Sequence, residues 1–101
     1  MFHMTTNMFH MTTAHQVSAA LAQVVGETYK SAGLSQRRLA EAAGIPLVTL
    51  SRKLLGQSPF TAIELVSVSR ALGVSFAELA LRAEQRAGET EVRIAARKAS
   101  A

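Results

Sequence analysis

A chain of 101 residues, 49% of them apolar, is long enough for one compact core of roughly 65–75 residues without covalent staples. Alanine and leucine dominate and aromatics are few, which favours helices over a β-sandwich, and the lack of cysteine excludes disulfides and thiolate metal sites. Lys+Arg 11 against Asp+Glu 7 gives a formal charge of +4, a modest excess that suits a polyanionic partner without requiring one.

Residues 1–13 hold a direct repeat, MFHMTT at Met1–Thr6 and again at Met8–Thr13, separated by Asn7. Two copies do not make a solenoid, so this stretch is expected to be a duplicated leader, poorly ordered, with alternative starts at Met4, Met8 or Met11. It lacks the basic and continuous apolar regions of a secretory signal, and no apolar run nears the ~20 residues that span a bilayer. The cytoplasm is the expected location.

Ala14–Ser31 is predicted as the first helix. Val17, Leu21, Val24, Val25 and Thr28 or Tyr29 recur at three- and four-residue steps. Gly26 weakens this helix by about 1 kcal/mol relative to alanine, and Gly33 is placed to end it. Ser35 caps a second helix over Gln36–Ala43, with Leu39 and Ala43 turned inward, and Gly44 breaks it. Pro46 suits the first turn of a third helix, where its missing N–H does no harm. That helix runs to about Leu55, with Leu50 and Leu54 facing the core.

Gly56-Gln57-Ser58-Pro59 reads as a loop. Thr61 with Glu64 forms a capping box that opens a fourth helix to about Leu72, with Ile63, Leu65 or Val66, and Leu72 inward. Gly73 ends it. Ser75 and Glu78 suggest another capping box, before a fifth helix carrying Phe76, Leu79 and Leu81. Beyond Gly88 the tail ETEVRIAARKASA fits an exposed strand with Val92 and Ile94 on one side, or a weak helix over Thr90–Ala99.

The stretch Gln36–Leu55, QRRLAEAAGIPLVTLSRKLL, is therefore two short helices meeting at a glycine. That is the physical minimum of a helix-turn-helix, which lays its second helix in the major groove of DNA. Arg37, Arg38, Arg52 and Lys53 face one acid, Glu41, so the local charge is +3. Gly44 supplies the positive φ of the turn, and Ala40 sits where a larger side chain would force the helices apart. Leu39, Ile45 and Leu50 are scaffold.

Leu34–Val74 resembles the helix-turn-helix domain of the phage repressor and Cro (XRE-type) superfamily, in the short form of actinobacterial phages and their hosts. The resemblance is carried by Gln36, Ala40 four residues on, Gly44 four further, Ser51-Arg52, and the closing Ala71-Leu72-Gly73-Val74. It implies that Gln36 packs on the DNA backbone at the start of its helix, where free N–H groups favour a phosphate. It also implies a second phosphate clamp at Ser58 and the backbone N–H groups around Gln57.

Arg52 is the foremost candidate for base readout, since a guanidinium pairs bidentately with guanine O6 and N7. A phosphate contact is its alternative. Thr49 and Ser51 suit either bases or phosphates. Leu47 and Val48 stand where the superfamily is often polar, and either touch thymine methyls or complete the core. Lys53, with Arg37 and Arg38, is expected to add sequence-independent charge at phosphates, with Leu54 doing the packing more usual at position 53.

Rival readings are weaker. Glu41, Glu64 and Glu78 lie in helix-surface or capping contexts, and no histidine follows His15, so the polar side chains suited to catalysis do not cluster. His3, His10 and His15, spaced by seven and five, do not sit on adjacent helical turns as metal ligands. An antitoxin or adaptor with the same fold would use Thr90–Ala101 as a segment that folds on a protein partner.

The sequence thus predicts an all-α, five-helix repressor-like domain over residues 14–87, with a leader over 1–13 and a basic tail over 88–101. It predicts a non-enzymatic regulator, most economically a phage- or prophage-type repressor, that binds double-stranded DNA at an operator through Pro46–Leu55 and needs no cofactor. A homodimer is the expected form, because one short helix reads too few base pairs alone. Leu79, Leu81 and the Val92/Ile94 pair are candidates for its interface.

Overall fold

The computed structural model describes residues 13–100. The repeated leader, with His3 and His10, lies outside them. Five helices follow in order: α1 (Ala14–Ser31), α2 (Gln36–Ala43), α3 (Leu47–Leu54), α4 (Ala62–Leu72) and α5 (Phe76–Ser100). The described residues contain no strand, so the fold is all-α.

Local signals set the boundaries. Ser35 Oγ accepts from the Arg38 N–H at 3.1 Å, and Thr61 with Glu64 closes a reciprocal capping box at α4. Thr13 and Gln16 form a further box, which opens α1. At α5 only half of the expected box is made: Ser75 Oγ accepts from Glu78 N–H, while the Glu78 carboxylate pairs with Arg82. Pro46 stands just before α3 rather than in its first turn, and its carbonyl accepts from Leu50 N–H at 2.9 Å.

The first four helices end in one way. The N–H groups of Gly33, Gly44, Gly56 and Gly73, and of the residues that follow them, return to carbonyls of the preceding turn. Of those following residues, Leu34, Ile45 and Val74 pack in or against the core. The fourth, Gln57, is polar and exposed.

The core gathers one to three residues from every helix, with one from the α2–α3 turn: Val24, Val25 and Tyr29 of α1, Leu39 and Ala40 of α2, Ile45 of the turn, Leu50 of α3, Leu65 and Val68 of α4, and Leu79 of α5. Leu39, Leu50 and Leu79 are completely buried, each contributing about 1.5–3 kcal/mol relative to exposure. The buried Ser69 is satisfied by the Val66 carbonyl at 2.8 Å.

Two expectations are corrected. Ile63 is not inward but 79% exposed, and Val66 is also exposed. The stripe that docks is Leu65, Val68 and Leu72, at steps of three and four, and Ile63 lies about 200° around the helix from Leu65. Gly88 does not interrupt the chain, since α5 runs through it to Ser100; of the two alternatives for the tail, strand or helix, the structure has the helix. Ala83 and Ala87 of α5 meet Ala20 of α1 in a small-residue contact, bordered by Val17 and Leu21, and Gly88 is buried beside it. No described helix is long and apolar enough to cross a membrane.

Candidate nucleic-acid interface

The geometry of the α2–α3 pair follows from the turn between them. Gly44 adopts φ 70°, ψ 33°, a left-handed conformation that side chains with a Cβ disfavour. Its N–H donates to the Glu41 carbonyl at 3.3 Å, and Ile45 N–H to Ala40 at 3.0 Å. Ile45 and Leu50 then dive into the core and fix α3 along one side.

The opposite side of α3 is open. Val48 is 64% exposed, Arg52 is exposed one turn later, and the two share a face by their four-residue spacing. Arg52 makes no ion pair with a described residue. Thr49 and Ser51 flank that face and are half-buried. Leu47 is half-buried and packs against the core, so of the two early apolar positions Val48 alone presents its side chain to solvent.

Gln36 joins α2 to α3. Ser51 Oγ donates to Gln36 Oε1 at 2.7 Å, which leaves the half-buried Gln36 its amide nitrogen as the side-chain donor. The Ser51 proton is thereby engaged, and the hydroxyl retains only lone pairs for a further partner. Arg37 and Arg38 are exposed beside Gln36 on the first turn of α2.

The loop after α3 carries the remaining candidates. Gln57 and Ser58 are exposed. Gly56 at φ 79° turns the chain, its N–H donating to Lys53 and that of Gln57 to Arg52, at 3.1 and 3.0 Å. The Gln57 backbone N–H is thus used to close α3, and its side chain is the part that faces out.

Lys53 is placed differently from the other cations. Its side chain is 11% exposed, and Nζ pairs with Glu64 Oε1 of α4. Burial pushes the Glu64 carboxyl up, but the hydrogen bonds from Lys53 and Thr61 outweigh this and hold it below the usual carboxylate range. Glu64 was legible as a capping residue; its second bond was not, because Lys53 lies eleven residues away across a loop. Leu54, next to Lys53, packs against the core.

Two helices crossing at a glycine turn, the second with an open polar face flanked by exposed arginines, define the helix-turn-helix class of nucleic-acid-binding domains. A family model described as helix-turn-helix matches residues 19–79, and the chain belongs to that family. Two crystal structures of the clp gene regulator ClgR from Corynebacterium glutamicum are similar to it. One has a TM-score of 0.77 at 24% identity, over 82% of this chain and 88% of that one. The other has a TM-score of 0.65 at 28% identity, over 69% and 91%. No curated protein matches the chain.

Proposed function

We propose that this protein is a sequence-specific regulator of transcription that binds double-stranded DNA through α3, with a phage-type operator as its target. The observation that carries the reading is the division of α3 into two sides. Leu50 is wholly buried, while Val48 and Arg52 stand in solvent on one face, with Arg37 and Arg38 exposed on the neighbouring helix. Arg52 reads a guanine, Val48 meets a thymine methyl, Thr49 contacts bases or the adjoining backbone, and Ser51, with only lone pairs left, accepts from a base amino group. Gln36, through its amide nitrogen, Arg37, Arg38, Gln57 and Ser58 hold phosphates on either side. Family membership supports this reading, as does likeness to a protein described as a regulator of clp genes.

An eight-residue helix reads only a few base pairs, so the working form in this proposal is a two-fold dimer on a palindromic site. Leu79 is wholly buried in the core, so it is no longer a candidate for the interface. Leu81, Val92 and Ile94, all exposed on α5, are the apolar side chains that remain for it. A duplex titrated into isotopically labelled protein tests the reading. Amide shifts should concentrate at Gln36–Arg38, Leu47–Lys53 and Gln57–Ser58. Shifts confined to α5 would place the contact elsewhere.

A further inference from the structure

Lys53 lies by sequence on the basic helix, yet both its ends are held inside the protein. Its backbone carbonyl accepts from Gly56 N–H at 3.1 Å, and its ammonium pairs with Glu64 at only 11% side-chain exposure. The same Glu64 oxygen accepts from Thr61 N–H at 2.8 Å, and Glu64 N–H donates back to Thr61 Oγ1 at 3.1 Å. One carboxylate oxygen therefore ties the last turn of α3 to the first of α4. The segment between, residues 55–60, bears Gln57 and Ser58.

We infer that Lys53 and Glu64 are a positioning pair: they hold the phosphate-facing loop against the recognition helix and keep the Lys53 charge away from DNA. The inference rests on the DNA-binding reading above. Its physical basis is a difference between cations. A free ammonium in the last turn of α3 would attract the backbone of any duplex equally and raise non-specific binding. Paired with Glu64, it leaves the open face of α3 to Arg52, whose planar fork distinguishes one base edge from another. Glu64 in this account acts on selectivity without touching DNA.

The experiment compares the full chain with Lys53→Met, Lys53→Gln and Glu64→Gln, on a selected duplex and a scrambled one, across a range of salt. Both Lys53 variants should keep the parent's slope of log affinity against log salt. Glu64→Gln, which loosens the ammonium, should steepen that slope by up to about 0.9 and lower the ratio of selected to scrambled binding. A slope shallower by about 0.9 in the Lys53 variants would make Lys53 a phosphate contact and overturn the inference. So would an unchanged slope and ratio in Glu64→Gln. Amide exchange in the free protein gives a readout independent of DNA. The Gly56 and Gln57 amides should exchange faster in both Lys53 variants, relative to the core amides of Leu39 and Val68. Unchanged loop exchange would also overturn it. Should the parent prefer no duplex, the DNA-binding reading fails by itself, and the exchange result still decides whether the pair positions the loop.

Discussion

Ser51 and Gln36 are joined by a 2.7 Å hydrogen bond, so the middle of α3 is braced on the first residue of α2. The bond orients both partners, engaging the serine's proton and leaving the glutamine its nitrogen as a donor. Ser51→Ala and Gln36→Leu should therefore be non-additive in stability. A double-mutant cycle by urea unfolding should give a coupling of about 0.5–1.5 kcal/mol. Strictly additive losses would mean that the bond contributes nothing in solution.

Arg52 is exposed on the open face of α3 and unpaired among the described ion pairs. Arg52→Ala should weaken binding to the preferred site by about 1–3 kcal/mol and relax selectivity at one base pair. Titration of single-base variants of the site measures both. Equal binding of mutant and parent to that site would remove Arg52 from readout.

Arg37 and Arg38 lie on the first turn of α2, both exposed. Replacing both with alanine should weaken binding to all duplexes alike and flatten the salt slope by about one or two units. An unchanged slope would mean that they face away from the phosphates.

Two glycines should respond oppositely to alanine. Gly44 has φ 70° and nothing within 4 Å of a built Cβ, so Gly44→Ala meets backbone strain alone and should lose about 1–2 kcal/mol. Gly26 is inside α1 with equally open space around a built Cβ, so Gly26→Ala should gain about 0.5–1 kcal/mol. Thermal unfolding of both variants checks the signs.

Acid should weaken the α3–α4 tie. Glu64 titrates below its ordinary range in the folded protein, so its contribution is complete above the unfolded carboxyl's pKa. It is lost as pH falls through the lower folded value. Stability measured from neutral pH downward should therefore fall more steeply in the parent than in Glu64→Gln. Parallel curves would deny the carboxylate its share.

Most of the fold was legible because its signals are local. Ser35, Thr61, Gly33, Gly44 and Gly73 mark helix ends through the chemistry of their own turns, and the structure has helix ends at each. What was not legible depends on packing between distant segments. In Ile63-Glu64-Leu65-Val66-Ser67-Val68 the apolar residues fit more than one helical phase, and docking on the core selected Leu65 and Val68. Gly88 reads as a break until Ala83 and Ala87 are seen against Ala20. For the interface, the sequence sent Arg52 to bases and Lys53 to phosphates, but could not show that Glu64, eleven residues on, holds the Lys53 ammonium.

The central claim is that the open face of α3 selects a DNA sequence, and selection of bound sites from random duplexes tests it most directly. The account predicts an enriched palindrome with half-sites about one helical turn apart, roughly 10 base pairs centre to centre, and a guanine preference that Arg52→Ala abolishes. Recovery of duplexes with no enriched sequence, or of a motif that Arg52→Ala leaves unchanged, would contradict it.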